Sequence, residues 1–306
     1  MLRESTIDTL SSVSAKTFAA HWADPGHALL DIRPTAAYNG WPLAGEMRGG
    51  HVPGAKHLPF EWTQYMDWVE VVEEKQLSPD RPVTIYGYDA DEAEAMAGKL
   101  SRLGFDDLWI YDGFVDDWAA NPRRPVSRLK RYKQLVPPDW LHGLLHGDAE
   151  DTNGTNTVIC HAHFDHRADY EEGHIPGAIP LNTNWLESPE TWNRRSPAEL
   201  EDALCRLGIQ RDTTVVLYGR FSHPTYEQEH PAQSAGHLGA MRCAAILLYA
   251  GVQDVRILNG GLNTWTAAGY DLSTEDVAPA SVDSTGLDVP EHPEYMLDLD
   301  GAEALL

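Results

Sequence analysis

Short apolar and β-branched runs alternate along this chain with stretches whose apolar residues recur every three or four positions, the two periods that separate strand from helix. The runs ALLDIR (28 to 33), VTIYG (83 to 87), TVICHAH (157 to 163) and VVLYG (215 to 219) predict strands; Glu92 to Leu103, Pro197 to Leu207 and Ala240 to Tyr249 predict helices. Strands this apolar, alternating with helices, indicate a mostly parallel sheet with helices on both faces, an α/β fold.

The pattern occurs twice. Each copy has a strand ending in a polar triplet, then GHVPGA (50 to 55) or GHIPGA (173 to 178), then a strand running into a glycine, then IYDGFVDDW (110 to 118) or ILNGGLNTW (257 to 265). Paired landmarks lie at 31 and 161, 50 and 173, 87 and 219, and 113 and 260, offsets of 130, 123, 132 and 147 that differ only by insertions and deletions. Two tandem α/β domains are therefore expected, 1–128 and 129–275. The stretch from Asn121 to Asn156, with Pro122, Pro125, Pro137, Pro138 and Gly154, holds the linker and the opening helix of the second copy. Beyond Trp265 come ten Asp and Glu and no Lys or Arg, so 276–306 reads as an acidic, partly extended tail.

A length of 306 residues agrees with two domains. The balance of 23 Lys and Arg against 47 Asp and Glu, net −24, repels nucleic acid and anionic lipid. The longest clean apolar run, Ala244 to Val252, is nine residues, against about 20 for a membrane span. Neither nucleic acid nor a membrane is an expected partner. The opening MLRESTIDTL carries Glu4 and no apolar stretch, unlike a secretory signal, so the cytoplasm is the expected location. Cys160, Cys205 and Cys243 are scattered without CxxC spacing, which argues against a disulfide framework or a thiolate zinc site.

With Asp31-Ile32-Arg33, two GH[VI]PGA motifs, two strand-to-loop junctions and two [DN]-G-x(3 or 4)-W signatures, the chain resembles the tandem rhodaneses over about residues 10 to 270. These are the thiosulfate and 3-mercaptopyruvate sulfurtransferases. The resemblance implies an active site in the second domain, where a cysteine opening a strand-to-helix loop takes up sulfane sulfur as a persulfide and passes it to cyanide or a thiol. Such a thiolate needs inward-pointing amides at a helix N-terminus. No cysteine stands there. In the first copy the place falls at Gly87-Tyr88, followed by Asp89, Asp91 and Glu92; in the second it falls at Gly219 counted from the strand, or at Ser234 or Ala235 counted back from Gly251. From glycine to glycine the first copy runs 26 residues (87 to 113) and the second 41 (219 to 260), an excess of 15. The loop of the second copy is rebuilt across residues 219–242.

Opposite it, the second copy replaces Asp31-Ile32-Arg33 by His161-Ala162-His163, with Asp165, His166 and Arg167 following. The resemblance implies two arginines at this strand end, whose places here are His163 and Arg167. Six of the 14 histidines, His161, His163, His166, His223, His230 and His237, fall in these two segments. Both segments belong at the carboxyl ends of the strands, where open α/β sheets bind ligands. His161 and His163 point the same way from a strand; with His166 they form a candidate zinc or iron set. The string also matches the HxHxDH of metallo-β-lactamase-like hydrolases, a match read as accidental because GHIPGA follows. Without a metal, His163, Arg167, His223, His230 and His237 are the candidate catalytic residues. Arg220, Ser234, Gly236 and Arg242 are the candidate contacts to an anionic substrate. Ser222 and Tyr226 offer hydroxyls, and Glu227 and Glu229 carboxylates. Solvated loop histidines are the third reading of the cluster. His51 and His174 are expected to pin the GH[VI]PGA loops by hydrogen bonds. Cys160, Cys205 and Cys243 read as core thiols, with a relocated sulfur carrier at Cys243 as the alternative.

Two functions stay open. One is an enzyme on a small anionic or sulfur-containing molecule, using this His/Arg pocket in place of a persulfide. The other is an inactive binding or regulatory module whose protein partner meets residues 219–242.

Overall fold

The computed structural model of the protein describes residues 12–147, 156–220, 236–297 and 299–305, in two compact units, Met1–Lys133 and Gln134–Leu306. In unit one β1 (Ala28–Asp31), β2 (Lys56–His57), β3 (Val83–Tyr86) and β4 (Leu108–Tyr111) form a parallel sheet of order β2-β1-β3-β4. In unit two β5 (Leu135–Val136), β6 (Thr157–His163), β7 (Ile179–Asn182), β8 (Thr214–Tyr218) and β9 (Asp254–Leu258) form a parallel sheet of order β5-β9-β8-β6-β7. The fifth strand has an echo in unit one, where Ser12 bridges to Ile110 and the Val13 N–H donates to the Ile110 carbonyl at 2.7 Å. Each unit thus opens by laying chain on its own sheet edge and entering a helix, Ala15–Ala23 or Pro138–His146.

Local signals place the helices. Pro197–Leu207 is bounded by a Ser196–Glu199 capping box, a proline in the first turn and Gly208 in the left-handed region. Helix Ala90–Arg102 starts at Asp89, whose carboxylate accepts from the Asp91 and Glu92 amides. Helix Gly236–Ala250 begins four residues before the apolar periodicity does. Its first turn holds glycines, poor helix formers, because neighbours press on them: a Cβ on Gly236 would sit 2.9 Å from the Arg220 carbonyl oxygen, and one on Gly239 would sit 2.9 Å from the Thr183 methyl.

The period of two sorts each strand's residues between faces. Cys160 and Ala162 of β6 and Val215 and Leu217 of β8 pack with buried residues of helices Pro197–Leu207 and Gly236–Ala250. His161 and His163 therefore point to the opposite face, where the His161 ring meets Tyr218. In unit one the fully buried Phe18 stacks on Tyr111 at 3.9 Å and meets Tyr86 and Trp118 edge-on. The GH[VI]PGA loops are pinned alike. His51 Nδ1 donates to the Tyr38 carbonyl at 2.8 Å and its ring stacks on Tyr38; His174 does the same with Tyr170 at 2.8 Å. The Tyr86 and Tyr218 hydroxyls accept from the Val52 and Ile175 amides that follow.

The acidic C-terminal stretch lies along unit two. Val277, Leu287, Val289 and Met296 pack against its core, Glu291 pairs with Arg211, and the Val282 N–H donates to the Cys205 carbonyl at 2.9 Å. Among the described residues no helix is long and apolar enough to cross a membrane.

Removing the Phe18 ring leaves a cavity among three aromatic rings. Phe18→Ala is expected to cost about 3–5 kcal/mol, read as a lower urea midpoint at unchanged m-value.

Candidate functional site

At the mouth of unit one, where β1 ends, Arg33 is sealed in. Its Nε and Nη2 donate to the two Asp31 carboxylate oxygens at 3.0 and 2.6 Å, Nη2 also donates to the Gly50 carbonyl at 2.7 Å, and Nη1 pairs with Glu46. The Tyr88 hydroxyl donates to the same Glu46 carboxylate at 2.8 Å, and the guanidinium lies 3.9 Å from the centre of the Phe114 ring. Arg33 and Asp31 are 1% and 0% exposed. Burial alone would lower the pKa of Arg33, but Asp31 and Glu46 beside it hold it above its ordinary value. Burial raises Glu46 against the pull of Arg33. In the helix that follows, the Asp91 and Glu92 amides are already bound by Asp89, so neither these amides nor the Arg33 guanidinium is open to an incoming anion.

Unit two keeps the frame and changes the chemistry. At the end of β6 the His161 ring is 0% exposed, lies 5.9 Å from Tyr170 and 4.8 Å from Tyr218, and neither ring nitrogen has a hydrogen-bond partner among the described residues. Burial, with Arg220, His163 and His174 adding to it, pushes its pKa down to about 3. His163 is buried beside it, its pKa lowered by burial against the opposing Asp169. The chain then turns at Asp165, in the left-handed region at φ 49°. Asn182 and Asn184 hold that carboxylate at 2.7 and 2.8 Å. His166 Nδ1 binds the Asp169 carboxylate at 2.9 Å. So His161 and His163 share a face as expected, whereas His166 turns to Asp169. Among the described residues no group of three His, Cys, Asp or Glu side chains is placed to hold a metal, and the zinc or iron set gains no geometric support.

His237 opens helix Gly236–Ala250, buried, with its pKa lowered by burial. It fits because Gly261 stands where unit one has Phe114; a Cβ on Gly261 would lie 2.8 Å from His237 Nδ1 and 2.4 Å from the Gly219 carbonyl oxygen. His223, His230 and Ser234, with Ser222, Tyr226, Glu227 and Glu229, lie outside the described residues.

Each candidate arginine is already engaged. Arg167 pairs with Glu171 at 2.9 Å and Asp276 at 2.6 Å. Arg242 donates to Glu187 at 2.7 Å and to the Trp192 carbonyl at 2.7 Å. Arg220 donates to the Asp169 and Gly173 carbonyls at 3.1 and 3.3 Å and lies 3.5 Å from Glu172. The Gly173 carbonyl corresponds to Gly50, the acceptor of Arg33, so Arg220 serves in unit two the loop carbonyl that Arg33 serves in unit one. Glu46, Tyr88 and Glu187, which complete these networks, are too far along the chain from their partners for spacing to reveal them.

The thiols lie elsewhere. Cys160 and Cys243 are fully buried; burial pushes Cys160 up to about 12 and Cys243 well above its ordinary value. Cys205 is half-buried and raised by burial and by Glu201.

Two parallel α/β units with paired GH[VI]PGA loops define a tandem rhodanese-like protein. The Rhodanese-like domain family matches residues 14–121 and 150–268, and the chain belongs to that family. Thiosulfate sulfurtransferase YnjE of Escherichia coli K12 is 34% identical over 284 residues, 90% of this chain and 60% of YnjE, so the chain spans less than two thirds of that relative. The anaerobic ergothioneine biosynthesis enzyme of Chlorobium limicola, solved with trimethyl histidine, is 42% identical with a TM-score of 0.85, over 96% of this chain and 70% of that one. EanB with ergothioneine covalently linked to a cysteine persulfide matches at 42% identity and a TM-score of 0.87, over 96% of this chain and 70% of EanB.

In the unfolded chain His161 takes a proton near pH 6.5, whereas the folded protein resists until about pH 3. Its contribution to stability is therefore lost as pH falls from 6.5 toward 3. His161→Phe, which keeps a ring against Tyr170 and Tyr218, is expected to flatten unfolding free energy across that window by up to about 1.4 kcal/mol per pH unit. Urea titrations at stepped pH measure this.

Proposed function

We propose that the two units are the substrate-handling part of a sulfur-transfer enzyme, and that the thiol carrying sulfane sulfur comes from outside these 306 residues. One observation carries the reading: residues 87–92 and 219–242 contain no cysteine, and the described cysteines are two buried thiols and one half-buried thiol with raised pKa values. A persulfide is carried by a thiolate, which burial suppresses. The similarity to an enzyme with a cysteine persulfide supports the chemistry. The partial coverage of the relatives leaves room for the missing thiol.

The proposed binding end is the strand mouth of unit two, between residues 161–167 and 219–242. His163 and His237 are the neutral acid–base groups there, with His223, His230 and Ser234 on the intervening segment. Arg167, Arg220 and Arg242, with the amide end at Gly236, draw a small anionic or sulfur-containing molecule, Arg167 by exchanging its exposed carboxylate partners for it. Trimethyl histidine and ergothioneine, bound by the similar structures, set the size of molecule proposed. No metal is needed for these roles.

Calorimetric titration with thiosulfate and with trimethyl histidine tests the reading. Saturable binding of one of them, weakened about tenfold or more by His163→Ala, is the expected result; no binding of either overturns it and leaves the inactive module. The thiosulfate:cyanide assay on this chain is expected to read background, unchanged in Cys243→Ser. Turnover lost in that variant places the carrier at Cys243 and refutes the proposal.

Native protein is expected to react with Ellman's reagent only at Cys205, and denatured protein at all three thiols.

A further inference from the structure

In unit one a single buried hydroxyl is shared by two imidazoles. Thr84 Oγ1, on β3 and 0% exposed, lies 2.8 Å from His21 Nδ1 and 2.8 Å from His27 Nε2. The two half-buried rings stack at 4.0 Å, and Trp109 of β4 meets His21 edge-on at 5.5 Å. A hydroxyl has one proton to give, so it donates to one ring and accepts from the other, and one of the two facing nitrogens must be bare. A proton on that bare nitrogen strands the Thr84 hydrogen, and a proton on each ring sets two cations in stacked contact. Arg81, donating to the Pro25 and Gly26 carbonyls, holds the turn between the histidines. The charges facing the pair are Asp24 at the helix end and Asp107 before β4, which favour a charged ring, and Arg81 before β3, which opposes it. Burial is the larger influence: it lowers the pKa of His21 and, with His21 alongside, takes His27 down to about 4. Unit two does without this cluster. Counted from the N-caps Ser14 and Pro137, Leu144 stands at His21; counted from Tyr86 and Tyr218, Val216 stands at Thr84. The same framework closes there with apolar side chains, so the fold does not require the polar ones.

We propose that His21, His27 and Thr84 form an acid-released latch: neutral rings turn inward to Thr84 and tie the end of helix Ala15–Ala23 to the sheet, and a protonated ring turns outward to Asp24 and Asp107. Asp107 now accepts from Trp109 Nε1 at 2.7 Å, so an arriving imidazolium competes with that indole and carries the release to β4. In the unfolded chain both histidines take a proton near pH 6.5. The latch is therefore complete above that pH and is lost as pH falls from 6.5 toward about 4. It is separate from the strand mouth and does not depend on the sulfur-transfer reading.

Long-range proton–nitrogen NMR of the imidazoles, on the whole chain, tests this. At neutral pH one facing nitrogen is expected to carry a proton and the other to be bare. On acidification both rings are expected to titrate below pH 6.5, and the Trp109 Nε1–H signal, assigned with Trp109→Phe, to move over the same range. Thr84→Val installs the residue of unit two and removes the hydroxyl that holds the neutral rings, so both midpoints are expected to rise toward 6.5; Thr84→Ala serves if the valine variant does not fold. Thr84→Ser, which keeps the hydroxyl, is expected to return the wild-type midpoints. Asp24→Asn combined with Asp107→Asn is expected to lower them. Titration of both rings near pH 6.5 in wild type, midpoints unmoved by loss of the hydroxyl, or a Trp109 signal that ignores the titration overturns the latch.

Discussion

A guanidinium leaves water only when acceptors replace the water it gives up, and this requirement shapes both units. In unit one Arg33 is met by Asp31, Glu46, the Gly50 carbonyl and the face of Phe114. Taking one carboxylate from such a set strands a buried charge and costs about 3–5 kcal/mol, so the network holds as a whole and fills the mouth that opens beyond β1. Unit two escapes the requirement by putting imidazoles at the same strand positions. A histidine can enter a dry interior by giving up its proton, as the depressed pKa values of His161 and His163 record. One acceptor demand persists. The carbonyl of Gly173, which opens GHIPGA, still takes a guanidinium, now from Arg220 just beyond β8.

That exchange bears on where sulfur can be held. A persulfide sulfur is an anion at neutral pH and needs unengaged amides or cations facing it. Unit one has committed its helix cap to Asp89 and its guanidinium to two carboxylates. In unit two Arg167 and its partner Asp276 are roughly half and two thirds open to water, whereas Arg242 holds the buried Glu187 and Arg220 the carbonyls of Asp169 and Gly173. The exposed Arg167–Asp276 pair is weak, worth about 0–1 kcal/mol, and an incoming anion competes with it at little cost. The asymmetry between Arg33 and Arg167 follows from burial: the same residue type is locked at one and exchangeable at the other.

Much of this was legible in the sequence because the fold is written twice. Strand ends, GH[VI]PGA loops and the closing tryptophans recur in order, and helix Pro197–Leu207 has its start and stop signals in its first turn and flanking residues. What escaped were features decided by tertiary neighbours. The two-residue strands β2 and β5 are too short for a period to show. The first turn of helix Gly236–Ala250 is spelled in glycines chosen for close approach. At the site, histidines two apart on β6 were correctly read as sharing a face, but spacing could not show that His166 turns to Asp169 or that Glu187 waits 55 residues before Arg242.

The duplication also supplies an internal control that a single domain lacks. Where corresponding positions keep one role, as His51 and His174 do, the fold demands it. Where they part, the backbone tolerates both, and the difference is free to serve function. Phe114 against Gly261 is such a position: the ring covers Arg33 in one unit, and its absence admits His237 beside Gly219 in the other. Since the sheets and loop pins around these positions are alike, stability of the fold does not explain the substitution. Room made for an imidazole at the carboxyl ends of the strands has the location expected of a ligand site in an open α/β sheet.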